Sequence, residues 1–294
     1  MSNSTPMPSQ PLVDHVIFTR YNLPSAGSES LIRAQEGWLR DRTELFLRHT
    51  IPSMQRQSCR DYRWIIFFDP QSPEWLLDRL QPFVDSELFL PVYTEEVSWP
   101  DLVKLAQEVT GAAGSLLITT NVDNDDAVAV DFVDRIQAVA KKSPGAAIYL
   151  GTGLICSDES LYIYEDRHNA FCSVSETWDN PQTAWRDWHN LLSDHFPVVS
   201  IPGEPGWLQV IHGRNVSNRV RGRRVDPREY SAAFPDQLTD LPTPTAAELA
   251  VDHRVLHPAR VTRDAVRRAG KEVILRVGGK AGLDRVKERL QKDS

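Results

Sequence analysis

What most restricts the fold is an alternation along the chain up to Thr120, in which short, nearly unbroken apolar runs are separated by amphipathic stretches of helical period. The runs are Val13–Thr19 (VDHVIFT), Trp64–Phe68 (WIIFF), Leu88–Tyr93 and Ser115–Thr120 (SLLITT). A strand that is apolar on both faces must be covered on both faces, so strands alternating with helices imply a parallel sheet between two helical layers. Between Gly37 and His49, Trp38, Leu39, Leu45 and Phe46 recur at helical intervals, and this helix is expected to stop near Pro52. Ser72-Pro73-Glu74, and Ser98 with Pro100 and Asp101, each offer a serine N-cap followed by proline in the first turn. In sheets of this kind ligands sit beyond the carboxyl ends of the strands. That singles out Thr19–Asn22, Asp69 and Asn121–Asp126 before any motif is considered.

After a helix through Phe132, Val133, Ile136 and Val139, the apolar runs shorten to Ala147–Leu150, Leu161–Tyr164 and Trp207–Ile211, which are expected as antiparallel strands with long excursions. The stretch Asp166–Pro205 carries Trp178, Trp185 and Trp188, which can build a binding surface or simply pack the loop. Residues 1–11 form a polar, proline-bearing lead-in without the basic start and apolar centre of a secretory signal. No stretch approaches the roughly 20 apolar residues that cross a bilayer. The main domain is expected over 12–257, divided at 126/127 into a nucleotide-binding half and a loop-rich half. A basic helical segment, 258–294, follows, with helices around Val261–Arg268 and Leu283–Leu290. Such a segment either packs on the domain or rests peripherally on anionic lipid. The three cysteines, Cys59, Cys156 and Cys172, lack metal-ligand spacing, and their odd, sparse count fits a reducing, cytoplasmic setting. A net charge of −7 argues against nucleic acid as a partner. Basic residues nevertheless crowd late, with Arg214, Arg219, Arg221, Arg223 and Arg224 close together.

The chemistry concentrates in Asn121-Val122-Asp123-Asn124-Asp125-Asp126, directly after the fourth apolar run. Three carboxylates at one strand end repel one another unless something positive neutralises them. Hard oxygen donors suit Mg²⁺ or Mn²⁺, which take one or two protein carboxylates and complete their shell with phosphate oxygens and water. The plainer alternative is a solvated acidic turn at the start of the following helix. Arg214, Arg219 and Arg221 can clamp phosphate oxygens, since guanidinium presents a matching fork.

TTNVDNDDAVAVDFVDRI resembles the segment around the DxD motif of GT-A glycosyltransferases. The chain as a whole resembles a bacterial rhamnosyltransferase family through HVIFTRYN, WLRDRTELFLRHTIPSMQRQ, YRWIIFFD, the DNDD segment, NAFCSVSE and WLQVIHGRNVSNRVRG, in that order. The resemblance implies a mixed α/β sheet flanked by helices, a loop-rich acceptor region and a helical tail. It implies transfer of a sugar, rhamnose by the family's name, from a nucleotide-diphosphate donor to a hydroxyl of a glycan or lipid-linked acceptor. Asp123 and Asp125 would then lie at the diphosphate and its Mn²⁺ or Mg²⁺, with His212 as a further metal ligand and Asp126 nearby. Thr19, Arg20, Asn22 and Asp69 match positions that contact base and ribose; Asp69 can instead cap a helix, and Arg20 can instead pair with Asp69. The acceptor hydroxyl must lose a proton as it attacks, which calls for a carboxylate or histidine. Glu176, at the end of NAFCSVSE, is the first choice and Asp194 the second, among a set that includes Asp187, His189 and His195. Two alternatives stay open: an aspartyl-phosphate phosphohydrolase, and a non-catalytic module that binds sugar or polyanion.

Overall fold

In this computed structural model, which describes residues 12–24, 37–157, 159–212 and 219–267, β1 (Val13–Arg20) lies inside a seven-stranded sheet. β2 (Arg63–Phe68) and β3 (Leu90–Tyr93) follow on one side and β4 (Leu116–Asn121) on the other, all parallel, as the alternation predicts. Both faces of β1 are used. Ile17 packs with Phe46, Ile51 and Trp64 on one side, while Val16 and Phe18 meet Leu102 and Ala106 on the other. Each fully buried aromatic of this core contributes about 2–3 kcal/mol from apolar burial.

Past β4 the sheet continues through β9 (Ser173–Glu176), β6 (Ala147–Leu150) and β10 (Val198–Ile201). β9 is antiparallel to both β4 and β6, whereas β10 is parallel to β6. The carboxyl ends of β1, β2, β3, β4, β6 and β10 therefore share one edge, and the reversed β9 brings its amino end there. The expected division at 126/127 is not a spatial boundary, because three strands of the second half complete the first sheet.

The second sheet has the order β12 (Arg223–Val225), β8 (Ser160–Glu165), β7 (Thr152–Ser157), β11 (Trp207–Ile211), β5 (Ala127–Val128). β11 is parallel to β7 and antiparallel to β5, so only one of its two pairings is of the expected kind. Gly153 of β7 is required here, because a Cβ would sit 2.0 Å from the Trp207 ring.

The first helix does not stop at Pro52. α1 (Trp38–Leu45) passes through a π-helical turn (Phe46–Thr50) into α2 (Ile51–Gln55), and the wider turn makes room for a ring that would clash in a regular helix. α3 (Glu74–Asp85) begins after Pro73, because the Ser72 hydroxyl is spent on the Asp69 carbonyl at 2.6 Å rather than on the helix. α4 (Trp99–Thr110) starts as expected, the Ser98 N–H donating to the Asp101 carboxylate at 3.0 Å. α5 (Phe132–Ala140) covers the β1 face lined by Ile17. α6 (Ala246–Val251) continues through a second π turn (Asp252–Leu256) into helical residues 257–267, so no break falls at 257/258. The lead-in and the segment Leu283–Leu290 lie outside the described residues. No helix among the described residues is long and apolar enough to cross a membrane.

Candidate active site

The acidic turn lies at the shared carboxyl edge because β4 ends there, and its shape is fixed from three directions. From β1, the Thr19 hydroxyl donates to the Val122 carbonyl at 2.7 Å, and the Tyr21 carbonyl accepts the Asn124 amide at 2.6 Å. From the π turn, the Thr50 hydroxyl donates to the Asp126 carbonyl at 2.7 Å. From the second sheet, β5 and β11 pair Ala127 with Leu208, and the antiparallel run continues back into the turn. The Val210 N–H reaches the Asp126 carboxylate at 2.8 Å, and His212 Nε2 comes within 3.2 Å of Asp125. Strand register is thus what carries His212 to the acidic turn.

Arg42 of α1 completes the arrangement. Its guanidinium forms an ion pair with Asp125 and donates to Asn124 Oδ1 at 3.2 Å, with the Trp38 ring beneath it at 5.3 Å. This positive partner was not singled out from the sequence. The available signal was Trp38, Arg42 and His49, polar and aromatic groups set in register with the buried stripe of an amphipathic helix. His49 is itself buried, with no partner on Nδ1; burial, then Arg48, lowers its pKa to about 4, against the pull of Asp125.

The three carboxylates are electrostatically distinct. Burial, and next the Asp125 charge, push the Asp123 carboxyl up, while Asn121, His189 and Arg42 pull the other way. Burial also works against Asp125, but the His212 hydrogen bond and the Arg42 charge override it and hold this carboxyl below the ordinary range. Asp126 is pushed well up by burial and by its two acidic neighbours. Asp125 is the persistent anion of the group and Asp126 the one that favours its proton. Among the described residues, no three His, Cys, Asp or Glu side chains converge as a ready ligand set. Asp125 with His212, and Asp123 two residues away, nevertheless fit a hard divalent cation, which needs few protein donors when phosphate and water supply the rest.

The other expected contacts divide by position. Asn22 and Asp69 lie together at the ends of β1 and β2, the Asn22 side chain accepting the Asp69 N–H at 3.0 Å and donating to Ser72 Oγ at 3.0 Å. The Asp69 carboxylate accepts the Gln71 N–H at 2.7 Å, closing a turn rather than capping a helix. Thr19 is fully buried, its oxygen held between Val122 and the Trp64 indole, so it shapes the turn and presents nothing to a ligand. The Arg20 guanidinium stacks 4.3 Å from the Trp185 ring. Arg219 faces Asp264 of the C-terminal helix at 3.7 Å, and Arg221 lies on the Tyr164 ring. Arg214 lies outside the described residues.

Neither expected proton acceptor reaches the site. Glu176 pairs with Leu117 at the amino end of β4, the opposite edge of the sheet, and its carboxylate receives the N–H groups of Gln182 and Thr183 at 2.9 Å each. It anchors a loop. Asp194 is exposed and just precedes the amino end of β10, again at the far edge. Asp187 and His195 pair with each other at 3.1 Å.

The loop after Glu176 crosses from that far edge back to the acidic turn. Trp178 is pinned to Asp14 at the start of β1, at 3.0 Å, whereas the Trp185 indole donates to Asn121 Oδ1 at 2.8 Å. Trp178 and Trp185 pack on the Phe18 side of the sheet, while Trp188 is 69% exposed. His189 follows, its backbone carbonyl accepting the Tyr149 hydroxyl and its Nδ1 bonded to the His168 carbonyl. A carbonyl only accepts, so the proton is on Nδ1 and the Nε2 lone pair is left available.

The family described as "Putative rhamnosyl transferase" matches residues 14–224. The chain belongs to this family. Its two mixed sheets flanked by helices are the architecture expected from the sequence. Among solved structures, S. aureus TarS residues 1–349 in complex with UDP is similar at a TM-score of 0.38 and 9% identity, over 67% of this chain and 60% of that one. The chain spans less than two thirds of the TarS length it matches. A Desulfovibrio desulfuricans protein described as a "putative nucleotide-diphospho-sugar transferase" gives 0.34 and 10%, over 68% and 81%. GalNAc-T7 with UDP, GalNAc and Mn²⁺ gives 0.29 and 18%, over 48% and 23%. No curated protein matches the chain significantly.

Proposed function

We propose that this chain is a glycosyltransferase that moves a sugar, rhamnose by its family's description, from a nucleotide-diphosphate donor to a hydroxyl of a glycan or lipid-linked saccharide, with inversion at the anomeric carbon. The observation that carries this is the pairing of His212 with Asp125 at the carboxyl edge, with Asp123 two residues away and Asn22 and Asp69 at the ends of β1 and β2. Asn22 and Asp69 would meet base and ribose. Asp125 and His212, with Asp123, would hold Mn²⁺ or Mg²⁺. The cation, when bound, offsets negative charge growing on the leaving diphosphate.

The chain's own residues account for the rest. Arg42 keeps Asp125 ionised and in place before the donor arrives. The exposed Trp188 indole, next to His189 in the chain, offers an apolar face for an acceptor sugar. His189 is the group best placed to take the acceptor's proton. Its Nε2 receives that proton as the acceptor oxygen bonds to the anomeric carbon and the bond from that carbon to the diphosphate oxygen breaks, the electron pair leaving with the nucleotide.

The test is release of nucleoside diphosphate from deoxythymidine- and uridine-diphosphate hexoses, with Mn²⁺ or Mg²⁺ and with excess chelator. Turnover is expected only with metal, and His189→Ala is expected to lose about 10²-fold or more. Added imidazole should restore part of that loss, while nucleotide binding stays at the wild-type level. Metal-independent turnover contradicts the assignment of the acidic turn. Full activity in His189→Ala removes only the proton acceptor.

A further inference from the structure

The helix that starts at Ala246 and runs through residue 267 has its polar face turned toward the protein. Asp252, 1% exposed, accepts the Arg224 backbone N–H at 2.9 Å and the Arg260 guanidinium at 2.6 Å. The His253 ring bonds the Arg224 carbonyl at 2.8 Å. Arg260 also donates to the Gly222 carbonyl at 3.0 Å and lies over the Tyr162 ring at 5.0 Å. These partners come from β12, β8 and the turn before β12, and they fix which side of the helix faces the protein.

Away from these contacts the helix is open, and several of its exposed side chains are large and aliphatic, with Val251, Val255 and Val266 at spacings that share one side. Val251, Val255, Leu256, Val261 and Val266 are 48–67% exposed, and they are five of the eleven large hydrophobic residues exposed among the described residues. A helix lying on a protein ordinarily buries its large aliphatic residues, and an exposed concentration of them marks a contact surface. Its charge says what kind of surface. Arg254, Arg263 and Arg267 are exposed among the apolar residues. Residues 268–294 add eight Lys and Arg against four Asp and Glu, in a chain whose net charge is −7. Local positive charge interleaved with aliphatic side chains suits a plane that is apolar within and anionic at its surface.

We propose that the outer face of this helix lies on an anionic lipid surface, the valines and Leu256 entering the headgroup boundary and the arginines meeting lipid phosphates. The active edge is built from other elements, so the proposal stands apart from the transfer chemistry.

Flotation of the full chain with phosphatidylcholine vesicles, plain or containing about 30% phosphatidylglycerol, tests it. Binding to the anionic vesicles is expected to be at least about tenfold tighter and to weaken with salt. The triple variant Val255→Ser, Val261→Ser, Val266→Ser should lose it at an unchanged thermal midpoint, and Arg254→Gln with Arg263→Gln should lower it. The proposal is overturned if the full chain binds neither vesicle, if binding ignores lipid charge, or if the triple variant binds normally. A dimer that forms without vesicle binding and dissociates in the triple variant would assign the face to a second copy and overturn it equally.

Discussion

Arg42→Met is expected to lower the thermal midpoint of the metal-free protein by roughly 6–10 °C, corresponding to about 3 kcal/mol. The magnitude follows from where the charge sits. The Arg42 and Asp125 side chains are 15% and 9% exposed, so solvent screens the pair little. Removing the cation alone leaves Asp125 charged beside Asp123 and Asp126 in a buried turn, and that desolvation cost exceeds what the lost ion pair itself contributed. Arg42→Lys should recover part of the loss. Mn²⁺ with a nucleoside diphosphate should raise the midpoint of Arg42→Met more than that of the wild type, because a bound cation takes over the missing neutralisation. Differential scanning calorimetry in chelator and in Mn²⁺ measures both. Equal midpoints for the wild type and Arg42→Met in chelator would show that the acidic turn tolerates its own charge.

Asp125→Asn is expected to reduce kcat/KM by about 10²–10³-fold or more, the scale of losing one charge-stabilising group in a preorganised site. The amide keeps the shape and can still accept from Arg42, whose second acceptor, Asn124 Oδ1, remains. Asp125→Ala is the less clean variant, since it leaves a buried guanidinium short of its partner and mixes instability with lost chemistry. Raising Mn²⁺ should not restore the Asn variant, because the change removes a ligand and not merely affinity. Steady-state nucleotide release across metal concentrations checks this, and wild-type turnover by Asp125→Asn would sink the role given to Asp125.

The parts of the molecule legible in the sequence are those where local pattern and tertiary role coincide. β1, β2 and β4 are apolar on both faces because both faces are covered, and the capping box of Ser98 and Asp101 is local chemistry that nothing distant overrides. The acidic turn was legible for the same reason: three carboxylates after an apolar strand demand an explanation wherever the strand sits. The misread features depend on partners far along the chain. Glu176 looks like a site residue because it closes NAFCSVSE, which matches a family segment ending in an acidic residue, but that segment forms β9, which runs against β4, so its end lies at the wrong edge. Strand direction cannot be taken from a four-residue run. Arg219 lies among arginines suited to phosphate, yet it meets Asp264, a residue 45 positions later on a separate helix. Arg42 was missed because an arginine on a surface helix is ordinary until the fold brings that helix against the end of β4. His189 stood among several candidates; its electrostatic reach to Asp123 and the Asp187–His195 pair set it apart from the other two.

The central claim, that a cation and a diphosphate complete the acidic turn, is tested most directly by a crystal structure grown with Mn²⁺ and a nucleoside diphosphate, with anomalous scattering used to locate the metal. The account predicts a manganese peak bonded to Asp125 and His212, with phosphate oxygens in its shell and Arg42 drawn off Asp125. Nucleotide bound elsewhere, with Arg42 still paired to Asp125 and no metal at the turn, would contradict it.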